Sequence, residues 1–264
     1  FLKLKVALPF LSSKRLELGF GIAQIEDRYF QNNVIDFDKD KYDKSGYRLF
    51  GGSVSFNGST LNSRQFPIQG AREALVAQIF TGNESFRPGV NSENKKPVKE
   101  KHSWLQLSYM KEKYHKMGAN WILGWYLDAV YASKNFSENY TATMMQASEF
   151  APTAHSKLTY NEAFRANQYV AAGIRPIYRL NQMFHVRGEF YGFLPIFPIE
   201  RNSINKAYYG KAFSRFEYLG EISVVCQLPF GAISAYVNHY SSPRREWNVG
   251  LTLGWQLFNY RFIE

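Results

Sequence analysis

Residues Trp247-Asn248-Val249-Gly250-Leu251-Thr252-Leu253-Gly254-Trp255-Gln256-Leu257 alternate without a break between large apolar side chains and small or polar ones. Successive side chains of a β-strand point to opposite sides, so this run makes one face that is apolar throughout, with Trp near each end, and another that is small and polar. Two environments suit Trp247, Val249, Leu251, Leu253, Trp255 and Leu257: lipid, or the core of a half-buried soluble sheet. The rest of the chain separates them.

The same alternation recurs upstream. Leu2, Leu4, Val6 and Leu8 alternate with Lys3, Lys5 and Ala7; Leu16, Leu18, Phe20 and Ile22 alternate with Glu17, Gly19, Gly21 and Ala23. Trp121, Leu123, Trp125, Leu127, Ala129 and Tyr131 form another apolar row opposite Gly124, Tyr126 and Asp128. About eleven strands are predicted, near 2–10, 15–26, 46–57, 66–82, 102–114, 118–133, 166–180, 183–196, 212–227, 231–240 and 246–258. Strands of this kind are long enough to cross hydrocarbon at the usual tilt, which takes about 9–11 residues. Short turns fall at Ser12-Ser13, Gly58 to Arg64, His115-Lys116, Asn181-Gln182 and Pro229-Phe230. Longer excursions lie between them at 27–45, 83–101, 134–165 and 197–211, with a smaller one at Ser241 to Arg245. Outer-membrane barrels alternate short and long connections in this way, whereas a Greek-key sandwich has no reason to. The expected fold is all-β, a transmembrane antiparallel up-and-down β-barrel in the bacterial outer membrane.

Composition agrees. The chain is 45% hydrophobic and 17% aromatic over 264 residues, yet its mean hydropathy is −0.36. No apolar run approaches the roughly 18 residues of a transmembrane helix. Interleaving lipid-facing with lumen-facing residues produces such a soluble-like average. The net charge of +10 raises nucleic acid as a partner. Its carriers, among them Lys14, Arg15, Lys95, Lys96, Lys99, Lys101, Arg244 and Arg245, are scattered over expected turns and loops with no recognition helix or zinc finger beside them. They read as solvated loop charge or as attraction to anionic lipid head groups, so the expected partners are outer-membrane lipids and lipopolysaccharide, and no nucleic acid. Cys226, the one cysteine, reads as a small apolar strand residue.

The strand count also bears on the ends. The first strand runs into a short turn, which places Phe1 at the outer surface, and eleven strands break the even-number rule of bacterial barrels. Residues 1–264 are therefore expected to form a single barrel domain that is incomplete at its N-terminus, with at least one strand before Phe1.

Residues Phe150-Ala151-Pro152-Thr153-Ala154-His155-Ser156-Lys157, then Phe164-Arg165-Ala166-Asn167-Gln168-Tyr169, are motif-like. With Gly250-Leu251-Thr252-Leu253-Gly254-Trp255-Gln256-Leu257-Phe258, they resemble the C-terminal barrel of the patatin-like phospholipases of Bacteroidota. Those belong to the bacterial surface antigen branch of the outer-membrane assembly and two-partner secretion superfamily. The resemblance implies a barrel of about sixteen strands, of which this chain holds the last eleven, preceded by a transport-associated domain and a patatin hydrolase domain. It also implies that the 134–165 loop folds into the lumen, with His155, Arg165 and Asn167 as its marked residues. The superfamily's inward loop carries a Val-Arg-Gly-aromatic element. Here the only Val-Arg-Gly is Val186-Arg187-Gly188, inside a predicted strand and followed by Glu189, and it reads as coincidence. Arg165 is left either as the lumen-facing arginine or as an ordinarily solvated one.

Catalytic chemistry is not expected. A patatin hydrolase needs a Gly-x-Ser-x-Gly elbow, and Gly51-Gly52-Ser53, followed by Val54-Ser55, makes none. Those residues read as small lumen-facing positions. His102, His115, His155, His185 and His239 are isolated, with no pair at helical metal-ligand spacing. Glu26-Asp27 reads as the close of a strand. Asp36, Asp38, Asp40 and Asp43 mix with Lys39, Lys41 and Lys44 in what reads as a solvated loop, because the glycine turn and closing Glu of a calcium loop are missing. No catalytic, cofactor or metal residue is assigned. The leading expectation is a barrel that anchors or translocates an N-terminal hydrolase domain or a passenger protein. A small-solute pore and a soluble all-β lipid carrier are the alternatives.

Overall fold

The computed structural model describes residues 1–11, 13–31, 42–89, 92, 96–229, 231–242 and 247–255. Eleven long strands form one antiparallel sheet: β1 (Leu2–Leu11), β2 (Lys14–Tyr29), β3 (Asp43–Ser59), β4 (Gly70–Arg87), β5 (Val98–Lys116), β6 (Trp121–Ala132), β7 (Gln168–Arg179), β8 (Phe184–Pro195), β11 (Glu217–Leu228), β12 (Gly231–Tyr240) and β13 (Trp247–Trp255). Between β8 and β11 lies a separate small hairpin, β9 (Ile199–Arg201) with β10 (Ala207–Tyr209). The long 133–167 connection holds a helix, α1 (Tyr140–Gln146), and a 3₁₀ turn (Glu162–Phe164). Each long strand pairs with its neighbour in the chain, so the topology is up-and-down. Its edges, among the described residues, are β1 and β13.

The sheet is strongly curved. β4 and β11 are five strand spacings apart, about 24 Å on a flat sheet. Yet Ser63, in the connection from β3 to β4, accepts a hydrogen bond from Gln227 of β11 at 3.3 Å. Ser63 is four residues past Ser59, so it lies at most about 14 Å from β3. On a flat sheet β3 is six spacings, or about 29 Å, from β11. The two side chains and the hydrogen bond add only about 10 Å, so the strands must curl to bring those groups together. Residues 60–69 lie in the hollow at the short-turn end, with Leu61 and Ile68 packed on Tyr114, Ile122 and Ile177.

Three sequence expectations change here. The segment expected as a short turn at Gly58 to Arg64 followed by a strand from 66 is this inward loop, and β4 begins at Gly70. Phe66 and Gly70 take positive φ (48° and 93°), which breaks an extended run, and a side chain at Gly70 would strike the Thr60 carbonyl. Second, β3, β4 and β5 extend beyond their expected 46–57, 66–82 and 102–114. Lys44, Arg87, Lys99 and Lys101 therefore stand on strands and not in loops, and β2 runs on past Glu26-Asp27 to Tyr29. Apolar alternation stops there while backbone pairing continues. Third, the β9–β10 hairpin stands within the expected 197–211 loop. Asp36, Asp38, Asp40, Lys39, Lys41, Lys95, Arg244, Arg245, Leu257 and the side chain of Trp255 lie outside the described residues.

Candidate functional site

The two faces of the curved sheet differ in kind. Outward, four rungs run in register across β2–β5: Leu16–Phe56–Leu75–Tyr109, Leu18–Val54–Ala77–Leu107, Phe20–Gly52–Ile79–Leu105 and Ile22–Phe50–Thr81–Ser103. All but the last are almost wholly apolar. Charged rungs close the band on both sides, Lys14–Gly58–Glu73–Lys111 at the short-turn end and Gln24–Arg48–Asn83–Lys101 at the long-loop end. The ten residue steps from Lys14 to Gln24 span about 33 Å along the strand, or about 25 Å if the strands tilt by roughly 40°. The band continues to β13, where Trp247, Val249, Leu251 and Leu253 are between 69% and 82% exposed. Aromatic residues mark its rims: Trp121 meets Tyr178 at 4.9 Å near the short turns, and near the long loops His239 stacks on Tyr218 at 5.9 Å and lies tilted against Trp247 at 5.0 Å.

Inward, polar groups are buried and paired. Strand alternation puts His185, Arg187, Glu189, Tyr191 and Phe193 on one side of β8, all buried. Arg187 is the largest fully buried side chain among the described residues. Its Nε donates to Glu189, its Nη1 to the Pro67 carbonyl at 2.8 Å and its Nη2 to the Tyr114 hydroxyl at 2.9 Å. Arg175 donates to Glu112, to the Tyr114 hydroxyl at 2.5 Å and to the Tyr191 hydroxyl at 2.7 Å, and lies 4.6 Å over the Tyr126 ring. The Tyr191 hydroxyl donates to Glu189. Two guanidiniums and two carboxylates thus neutralise each other while tying β5, β7, β8 and the 60–69 loop together, the arrangement that burying charge demands. Val186-Arg187-Gly188, read as coincidence, carries the centre of this network.

The 133–167 connection covers the same face. Phe150 and Phe164 pack among Tyr169, Tyr191, Phe193, Leu219 and Tyr240 of the wall, each burial worth roughly 2–3 kcal/mol. Asn139 caps α1 by accepting from the Ala142 N–H at 2.9 Å, and its amide donates to Tyr29 of β2 at 2.8 Å. Lys134 is buried 4.7 Å over the Trp104 ring, and that burial pushes its ammonium down to about 8.

The marked residues divide their roles. His155 Nδ1 lies 2.8 Å from the Tyr240 hydroxyl of β12, and burial lowers its pKa. Asn167 is buried and donates to the Tyr209 hydroxyl at 3.0 Å, joining the loop to β10. Arg165 faces the loop itself. It donates to the carbonyls of Met145 and Ala147 at the end of α1, both at 3.2 Å, and pairs with Glu149 at 3.1 Å. It is therefore neither solvated nor bonded to the wall: the two carbonyls at the helix end attract a guanidinium more strongly than distant strand groups do.

Glu84, Glu100 and His102 each offer an atom within 4.8 Å of the others. Along the sequence His102 stands isolated, since its neighbour Glu84 comes from the adjacent strand and not from its own. His102 Nε2 is 2.8 Å from Glu84, which also accepts from Tyr47 at 3.2 Å and from the Glu138 N–H of the covering loop at 3.4 Å. Those protein donors already use the Glu84 carboxylate, so the cluster acts as a joint between wall and loop.

Gly51 and Ser53 lie on the inward row of β3, where a side chain at Gly51 would run into the Phe80 ring at 2.8 Å. The geometry defines a class: an all-β chain built on one large antiparallel up-and-down sheet, with an apolar outer face and a covered polar inner one. No family model and no curated protein matches the chain.

Proposed function

We propose that this chain is the membrane-embedded portion of an outer-membrane β-barrel whose lumen is filled by its own 133–167 loop. It anchors or translocates an N-terminal patatin-like hydrolase domain, as in surface-antigen-type proteins, and carries no acyl hydrolase chemistry of its own. The outward band supports this reading: apolar, exposed, closed by charged rungs on both sides, and about as tall as the outer membrane's hydrocarbon. A water-exposed band of that size on a soluble protein would be an aggregation surface. The covered inner face favours an anchor over an open pore.

The test is accessibility. With Cys226 replaced by Ala, single cysteines at Leu251 and Thr252 are spin-labelled in the full-length protein in lipid vesicles. Oxygen, which concentrates in lipid, should relax the label at 251, and a water-soluble nickel chelate should leave it untouched. The label at 252 should report the opposite side. A nickel response at 251 equal to that of an exposed loop site, or solubility without detergent, would discard the membrane reading.

A further inference from the structure

Above the long-loop rim of the apolar band, β2–β5 form an outward-facing groove of about 640 Å³. Its floor is the rung Glu26–Gly46–Ser85–Lys99, where Gly46 and Ser85 leave a gap in the side-chain layer. Around it stand Lys44, Arg48, Arg87, Lys99 and Lys101. Of the three carboxylates lining it, Glu26 faces outward and is taken by Arg28 at 2.7 Å and Lys44 at 3.7 Å, while Glu84 and Glu100 stand on the inward row, Glu84 at 2.8 Å from His102. Arg48, Arg87, Lys99 and Lys101 pair with no carboxylate among the described residues. Two rungs from the floor toward the short turns, Ile22 and Phe50 are exposed and the apolar band begins.

We propose that this groove binds the net-anionic, phosphate-bearing headgroup of an outer-leaflet lipid, with the acyl chains lying along Ile22, Phe50 and Ile79. This rests on the membrane placement proposed above and names the lipid contact it implies. Four cations with no carboxylate partner among the described residues, set around a small-residue floor, match a phosphate in charge and size, and their Arg and Lys donors suit its oxygens. The adjoining apolar band selects an amphiphile over a free anion. Scattered basic residues show no such focus elsewhere on the outward rungs of β2–β5: at the opposite rim, Lys111 is paired with Glu73 at 3.4 Å.

Full-length protein in nonionic detergent is titrated calorimetrically with dioleoyl phosphatidic acid, with dioleoyl phosphatidylcholine and inorganic phosphate as comparisons. Phosphatidic acid should bind, phosphatidylcholine should not, and equal inorganic phosphate should not displace the lipid. Arg48→Gln with Lys99→Gln and Lys101→Gln should weaken binding about tenfold or more, and Lys111→Gln should leave it unchanged. Gly46→Asp is a second probe, because a side chain there meets only carbonyl oxygens at 3.8 and 3.9 Å and the sheet can keep its fold. It should weaken binding as much. Unchanged affinity in both variants, or displacement by inorganic phosphate, overturns the proposal. If the Leu251 label reports lipid while phosphatidic acid shows no preference, only this site fails; if the protein needs no detergent, both readings fall.

Discussion

Arg187 shows how much one inward side chain can hold. Replacing it with Met leaves Glu189 with a weaker partner, Arg175 at 3.8 Å, and strips the Pro67 carbonyl of its donor. Breaking a buried ion pair by removing one partner costs about 3–5 kcal/mol, so on the proposed placement the urea midpoint of vesicle-inserted protein should fall accordingly. Replacing Glu189 with Leu in the same chain should recover much of the loss, since the pair is then removed together. His155 makes a different prediction. Its imidazole bonds Tyr240 while docked, and its pKa is depressed below the ordinary 6.5. The undocked loop therefore takes up a proton first as pH falls, so docking is fully favoured above about 6.5 and weakens as pH drops through the lowered pKa. A spin label at Leu158 should be more mobile at pH 5 than at pH 7.5. A flat response in the parent, or a pH response that survives in His155→Gln, would count against this.

At the scale of elements, β13 carries the sharpest contrast. On the proposed placement, Leu253→Arg puts a charge in hydrocarbon at a cost of roughly 2–4 kcal/mol near the midplane, while Thr252→Arg points away from lipid and costs much less. Equal losses in urea unfolding from vesicles would reject the assignment of faces. The strands themselves were legible because period-two alternation survives wherever one face is apolar, as from Leu16 to Ile22. Where both faces turn polar the signal disappears, which is why the ends of β3, β4 and β5 were misread as loops. The connection at 60–69 was misread for another reason. Its inward course depends on Phe66, Pro67 and Gly70 setting the backbone and on Arg187 waiting on a strand more than a hundred residues away.

The whole molecule brings the covering loop and the wall into one unit. If, on the proposed reading, the chain belongs to a barrel that the 133–167 connection closes, deleting residues 138–160 removes α1, Phe150 and the His155 contact and should raise ion conductance in planar bilayers. No change would show that the segment is not the barrier. By itself the sequence determined the all-β class, the eleven long strands, their order and the apolar face of each where one face is apolar, because those follow from local alternation and turn residues. It also marked the 150–167 stretch, though not what its residues touch. Only the tertiary structure decided that Arg165 closes a helix while His155 meets the wall, that Arg187 centres a four-charge network, that Glu84 and His102 are neighbours, and that four cations share one groove. Each of those depends on strand register and sheet curvature, which place residues from distant parts of the chain within a few ångströms. No spacing along a single strand encodes that.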